Sequence, residues 1–256
     1  MIRVAVTGAC GKMGREVVRA VTAEPDMTVV AAVDPLHAGE AVEGVRVTGD
    51  LHDAITASSP DVLVDFTRPE AVLENVRNAA LAGVDCVVGT TGVPVEAFEE
   101  IVAEAPDGVC VFVAPNFAIG AVLMMRFARE AARYLPHVEI VELHHDRKAD
   151  APSGTAIRTA EGIAAVRPAV PAAPGRETEV ADGARGAVVA GVTVHSVRLP
   201  GLVAHQEVIF GGQGQTLTIR HDSIDRTSFM PGVVLAIRAV RDRGGLVVGL
   251  EELLGL

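Results

Sequence analysis

Tryptophan is absent from the 256 residues, tyrosine occurs once, and aromatic residues make up 3% of the chain. That excludes a platform of stacked rings for single-stranded nucleic acid. Cations are also scarce, 22 Lys and Arg against 33 Asp and Glu for a net charge of −11. This is the wrong sign for a protein that grips a phosphate backbone, so no nucleic-acid partner is expected. Any anionic ligand needs a local basic island. The cysteines Cys10, Cys86 and Cys110 form no CxxC pair. Cys86 and Cys110 fall in apolar, strand-like runs where buried thiols are usual, and a reducing compartment fits such an odd set. No apolar run approaches the ~18 residues a membrane helix requires. The first residues, Ile2–Thr7, read as a core strand rather than a leader, so a cytoplasmic location away from membranes is expected.

What remains is rich in small apolar residues, with a hydrophobic fraction of 49%, as expected of a folded chain with a sizeable core. Up to about residue 117, short apolar runs (Ile2–Thr7, Thr28–Val33, Val62–Phe66, Cys86–Gly89, Val109–Val113) alternate with helical patterns (Arg15–Ala23, Glu70–Ala82, Val95–Ala105). Such alternation implies an α/β fold, a Rossmann-like doubly wound parallel sheet covered on both faces. Near Pro115 the texture changes. Ile119–Leu135 reads as one long helix, Val138–Leu143 as a strand and Arg167–Gly186, rich in Pro, Gly and charge, as a mobile excursion. Three adjacent strand-like runs follow, Val192–Arg198, Gln206–Phe210 and Thr216–Ile219, and suggest an antiparallel sheet in a smaller α+β domain. Ser228–Val240 reads as an apolar helix with Pro231 in its first turn.

Two segments carry chemistry. Gly8-Ala9-Cys10-Gly11-Lys12-Met13-Gly14 lies between the first strand and the first helix. Glycines there allow a tight turn and close approach of a pyrophosphate to the helix N-terminus. GxxGxxG alone is a weak signal. Asp34, at the end of the second strand, strengthens it, because an acid there grips adenosine ribose hydroxyls. Pro35 follows where an arginine would take a 2′-phosphate, so NADH should be usable. An exposed acid can also turn aside, which keeps NADPH in play. Gly89-Thr90-Thr91 and Ala114-Pro115-Asn116-Phe117 fall at further strand ends, where Thr90, Thr91 and Asn116 offer polar groups to the ribose and nicotinamide amide.

The second segment is Glu142-Leu-His144-His145-Asp-Arg-Lys148-Ala-Asp-Ala-Pro-Ser-Gly154-Thr155. On an extended chain His144 and His145 point to opposite sides and take different jobs. Lys148 is a proton donor, and a histidine can shuttle a proton near neutrality. Pro152–Thr155 resembles a helix start with Ser153 or Thr155 as cap, whose free N–H groups suit a carboxylate. His144, His145 and Asp146 lack the HExxH spacing and any supporting Cys pair, so no metal is expected. His205 and His221 are candidates to line the same cleft.

The segment ELHHDRKADAPSGTA closely resembles the signature of the 4-hydroxy-tetrahydrodipicolinate reductase (dihydrodipicolinate reductase) family. VAVTGACGKMGRE, VDFTRPE, VVGTTG, APNFAIGA, GLVAHQEVIFG and IRHDSIDRTSFMPGV extend the likeness over essentially the whole chain. The resemblance implies reduction of 4-hydroxy-tetrahydrodipicolinate, a small dicarboxylate, with NADH or NADPH in lysine and diaminopimelate biosynthesis. It implies that His144 and Lys148 handle the proton, that His145, Gly154 and Thr155 hold substrate, and that Gly8–Met13, Asp34, Gly89–Thr91 and Ala114–Phe117 hold the cofactor. It further implies a homotetramer and a chain end that returns to the first domain. The expected domains are thus 1–118 with 228–256 for the dinucleotide, and 119–227, with an open mixed or antiparallel sheet, for substrate and tetramer contacts. Another two-domain nicotinamide-dependent amino-acid or semialdehyde dehydrogenase is the alternative.

Overall fold

The computed structural model describes residues 1–169 and 178–255. The chain forms two compact units, residues 1–119 with 226–256 and residues 120–225. The first segment runs β1 (Ile2–Thr7), α1 (Lys12–Ala23), β2 (Met27–Val33), β3 (Ala41–Val42), β4 (Val45–Thr48), α2 (Leu51–Ser58), β5 (Val62–Asp65), α3 (Pro69–Leu81), β6 (Asp85–Val88), α4 (Glu96–Glu104) and β7 (Cys110–Val113). All four residues of β5, of β6 and of β7 are buried. That is why these strands read as unbroken apolar runs rather than alternations. β3, β4 and α2 had no counterpart in the sequence reading; β3 and β4 are two and four residues long, too short to set up a recognisable period.

The second unit contains α5 (Ile119–Ala131), β8 (His137–His144), α6 (Gly154–Ala164), β9 (Ala187–Val189), β10 (Val192–Arg198), β11 (Ala204–Gly212) and β12 (Gln215–Ser223). Its sheet order is β12-β11-β8-β10-β9. Of the two expected forms, open mixed or antiparallel, the sheet takes the mixed one. β8 lies between β10 and β11, parallel to β10 and antiparallel to β11, so the sheet is mixed. The inward residues of one face, Val138, Ile140, Val194, Val208 and Phe210, pack against Met124, Ala128, Ala156, Ala160 and Ile163 of α5 and α6. The expected excursion at Arg167–Gly186 falls partly outside the described residues, at 170–177; the described part after it holds turns and no regular element before β9.

A 3₁₀ turn over Arg226–Phe229 leads into α7 (Met230–Val240), β13 (Gly245–Val248) and α8 (Glu251–Leu254), which complete the first unit. The large sheet then has the order β13-β7-β6-β5-β1-β2-β4-β3, parallel throughout except for β3 with β4. α2, α3 and α4 cover one face around Leu63, Val88, Phe98 and Ile101. α1 and α7 pack together beside β1 and β6, contributing the buried Val17, Val18, Val21, Val233, Ile237 and Val240. Arg241 closes the return by donating to the Asp85 carboxylate at 2.5 Å.

The order reversal at β1, with β2 on one side and β5 on the other, opens a crevice at the carboxyl ends of the strands. α1 can approach this crevice only because Gly14 has no side chain. A Cβ on Gly14 would stand 2.0 Å from the Gly8 carbonyl oxygen and 2.7 Å from its carbon. Gly154, by contrast, has nothing within 4 Å of where a Cβ would lie. Gly14→Ala should therefore destabilise the protein by about 1–3 kcal/mol in denaturant unfolding, as overpacking does. Gly154→Ala should leave the midpoint unchanged or slightly raised.

Candidate active site

The first unit carries a cleft of about 800 Å³, whose walls include Gly8, Cys10, Gly11, Asp34, Thr67, Arg68 and Asn75. Gly8 has φ +67°, a left-handed conformation natural to glycine. Gly11 caps α1 without any side chain to occupy its amides, which leaves the helix N-terminus suited to an anion. A second cavity of about 250 Å³ joins Met13, Gly89, Thr90 and Thr91 to the same Phe66–Arg68 segment. The structure thus brings Gly8, Cys10, Gly11 and Asp34 together, with Met13 and Gly89–Thr91 next to them.

Three expectations change in detail. Asp34 is 9% exposed rather than an open acid. Its carboxylate accepts from Cys10 N and Leu36 N, each at 3.2 Å, and meets His37 Nδ1 at 3.0 Å. It is fixed in place and does not turn aside. Thr90 is buried, and its hydroxyl donates to Asp65 at 2.7 Å, so only its oxygen remains to accept from a ligand. Asn116 Oδ1 accepts from Ala118 N at 2.9 Å, and Ala114–Phe117 line neither cavity. Phe117 instead packs 5.6 Å from Phe66, ring to ring. Ala9 is fully buried and Lys12 is exposed.

Sequence reasoning missed Asp65, which organises this end of the sheet. It is 0% exposed. It accepts from the Thr7 hydroxyl (2.7 Å), the Asn75 amide (2.8 Å), the Thr67 N–H and hydroxyl (3.0 and 2.8 Å) and Thr90 (2.7 Å). The available signal was an acid ending an otherwise apolar strand and followed by Thr67.

The second unit gathers its own candidate residues at the end of β8. Strand alternation puts Glu142 and His144 on one face, and the β8–β10 register sets Ser196 and Arg198 beside them. Glu142 is 0% exposed. Burial alone would push its pKa up. Hydrogen bonds from His144, Arg198 and Ser196 outweigh burial and hold it at about 2. The His144 contact is 2.5 Å through Nδ1, and Arg198 spans both oxygens at 2.8 and 2.9 Å. The same carboxylate accepts from Ser153 N at 3.2 Å, which ties the start of α6 to the His144 strand. Ser153 is the helix cap, accepting from Ala156 N at 3.3 Å. Gly154 is exposed and Thr155 half-buried in the first turn.

Lys148 holds Asp150 through both carboxylate oxygens, at 2.7 and 2.9 Å. His145 Nδ1 is buried without a hydrogen-bond partner. His205 is structural: Nδ1 meets Asp222 at 2.7 Å and Nε2 accepts from Val203 N at 3.2 Å. His221 packs over Gly120, where a Cβ would come within 2.5 Å of its ring, and burial lowers its pKa.

A Rossmann-type sheet with a bare glycine turn and a fixed acid, in a chain whose other unit presents an oriented histidine and a lysine, defines a nicotinamide-dinucleotide oxidoreductase. Comparison with known proteins gives the particular kind. The family models "Dihydrodipicolinate reductase, N-terminus" and "Dihydrodipicolinate reductase, C-terminus" match residues 2–117 and 120–254, and the chain belongs to the dihydrodipicolinate reductase family. It is 52% identical over 263 residues to the 4-hydroxy-tetrahydrodipicolinate reductase of Syntrophomonas wolfei, covering 98% of both chains. It is 52% identical over 257 residues to that of Mycolicibacterium smegmatis, covering 100% of both. A solved dipicolinate-bound dihydrodipicolinate reductase from Paenisporosarcina sp. TG-14 matches with a TM-score of 0.88 at 46% identity, covering 98% of this chain and 99% of the other.

Because Glu142 is held near 2 against an ordinary 4.5, its contribution to stability is complete above about pH 4.5 and disappears as pH falls toward 2. Wild type should lose on the order of 3 kcal/mol across that interval from this group. Glu142→Gln should flatten that part of the curve, as read by urea unfolding at pH 3 and pH 6.

Proposed function

We propose that the chain reduces 4-hydroxy-tetrahydrodipicolinate with NADH or NADPH, the reaction for which its relatives are named. The observation that carries the reading is the Glu142–His144 contact of 2.5 Å beside the Ser153-capped start of α6. The cofactor fits the first unit: the turn at Gly14 has no room even for a Cβ, and Gly11, the N-cap of α1, lines the cleft without a side chain to fill the helix start. Gly8–Met13 would hold the pyrophosphate, Asp34 the adenosine ribose, and Gly89–Thr91 the nicotinamide end. Ala114–Phe117 would support that end through the Phe117–Phe66 packing. Bound there, the reduced nicotinamide supplies the hydride.

The remaining chemistry falls to the second unit. With Glu142 ionised, the short contact requires a proton on His144 Nδ1, so Nε2 is the atom left to exchange a proton with substrate. Lys148 is an ammonium with three donors; Asp150 takes two, and the third can be given to the reacting ring. Gly154 and Thr155 present helix N–H groups to a substrate carboxylate, and the unpaired His145 nitrogen gains a partner on binding. The dipicolinate in the Paenisporosarcina reductase supports a cyclic dicarboxylate as ligand.

The homotetramer is supported by the second unit's sheet. Its α5–α6 face is covered within the unit, while the opposite face carries the half-exposed Val141, Leu143 and Ile209. Among the described residues no helix is long and apolar enough to cross a membrane.

In an assay coupled to the synthase that makes the substrate, cofactor oxidation should depend on that synthase; oxidation independent of it would overturn the reading. Lys148→Ala should lower kcat by about 10²-fold or more, the scale of general acid catalysis. Gly154→Ala should raise KM for the dicarboxylate while the unfolding midpoint holds. Fixed Asp34 should give NADH the higher kcat/KM of the two cofactors.

A further inference from the structure

Cys10, Asp34 and His37 each place one ligand atom within 4.8 Å of the other two. They present a sulfur, a carboxylate oxygen and an imidazole nitrogen on one wall of the cleft. This is not the His144–His145–Asp146 run weighed from the sequence; it arises because β1 and β2 are parallel neighbours whose ends lie side by side. We propose that these three residues form a binding site for zinc, or another borderline-soft divalent cation, and that its occupation excludes the dinucleotide.

The donor types suit zinc, which takes thiolate, imidazole and carboxylate together in tetrahedral sites. Ligands around zinc stand about 3.3–3.8 Å apart, as follows from bond lengths near 2.0–2.3 Å. His37 Nδ1 is already 3.0 Å from Asp34 Oδ1, and the rest of the set needs a closure of about 1 Å by side-chain rotation. The backbone is prepared for it: Cys10 N donates to Asp34 Oδ2 at 3.2 Å, and Asp34 caps the short turn that carries His37. His37 can move, since its side chain is 40% exposed. On coordination the Cys10 thiol gives its proton to solvent, the hydrogen that His37 Nδ1 shares with Asp34 is likewise released or passes to Nε2 so that Nδ1 can ligate, and the fourth position falls to a water facing the cleft.

The consequence is regulatory. Asp34 cannot coordinate a cation with the same oxygens that accept from ribose hydroxyls, so metal and cofactor compete. The competition rests on the cofactor reading above; the metal site does not.

The test uses the full chain, freed of metal and cofactor. Zinc is titrated against a chromophoric chelator, and NADH binding is then followed by fluorescence at several free zinc concentrations. One zinc per chain should bind, and the apparent Kd of NADH should rise in proportion to free zinc. His37→Gln should weaken zinc at least tenfold, whereas His52→Gln, in the same cleft but outside the set, should not. Cobalt substituted for zinc should show a thiolate charge-transfer band that Cys10→Ser lacks. Equal zinc affinity in wild type and His37→Gln, or a cobalt spectrum unchanged by Cys10→Ser, would overturn the site. Zinc held by this set without any effect on NADH would overturn the exclusion. Both readouts are independent of the reductase assay, so a failed substrate assignment leaves them standing.

Discussion

A carboxylate taken wholly out of water must be met by donors or it neutralises or unfolds its surroundings. Asp65 and Glu142, each with no exposed surface, impose that constraint once in each unit. The donors to Asp65 come from β1, from the turn after β5, from α3 and from the turn after β6. The donors to Glu142 come from its own strand, from β10 and from the amide that opens α6. In the first unit the groups recruited, Thr7, Thr67, Asn75 and Thr90, line the two cavities, and in the second they are His144, Arg198 and the amide before α6. Satisfying a buried charge is therefore the same act as fixing the loops around it, and preorganisation of that kind is what catalysis needs.

The two informative glycines sit under opposite packing demands. At Gly14 a methyl group would collide with backbone, so the residue is dictated by how closely helix and strand approach. At Gly154 there is open space, and the fold makes no such demand; the small residue there keeps a helix start accessible. Both look alike as letters. Their surroundings separate a packing requirement from the absence of one.

Much of the fold was legible because burial writes itself into composition. β5, β6 and β7, buried on both faces, are continuous apolar runs, and β8 alternates because one face of its sheet is covered. Pairing was less legible. A period of two assigns a residue to a face but names no neighbour, so the insertion of β8 between β10 and β11 was hidden. The chemical segments stood out by residue type and spacing, which is why the sequence points to His144, Lys148 and the glycine turn. Asp34 was located, but its restraint by His37 and Cys10 depends on the turn that follows it. Asp65 and Arg198 escaped notice because their importance lies in partners 10 to 58 residues away, and distance along the chain conceals such pairings.

The return of residues 226–256 to the first unit has a consequence for synthesis. β13 is the edge partner of β7, and α7 fills one face of the large sheet. Both are synthesised after residues 120–225. Until they arrive, β7 is a bare apolar edge and the α1 side lacks its cover, while residues 120–225 already have a whole sheet and both of its helices. The later-encoded unit can therefore complete itself first, and the amino-terminal one must wait, with an unpaired strand to protect, until residues 226–248 have been made.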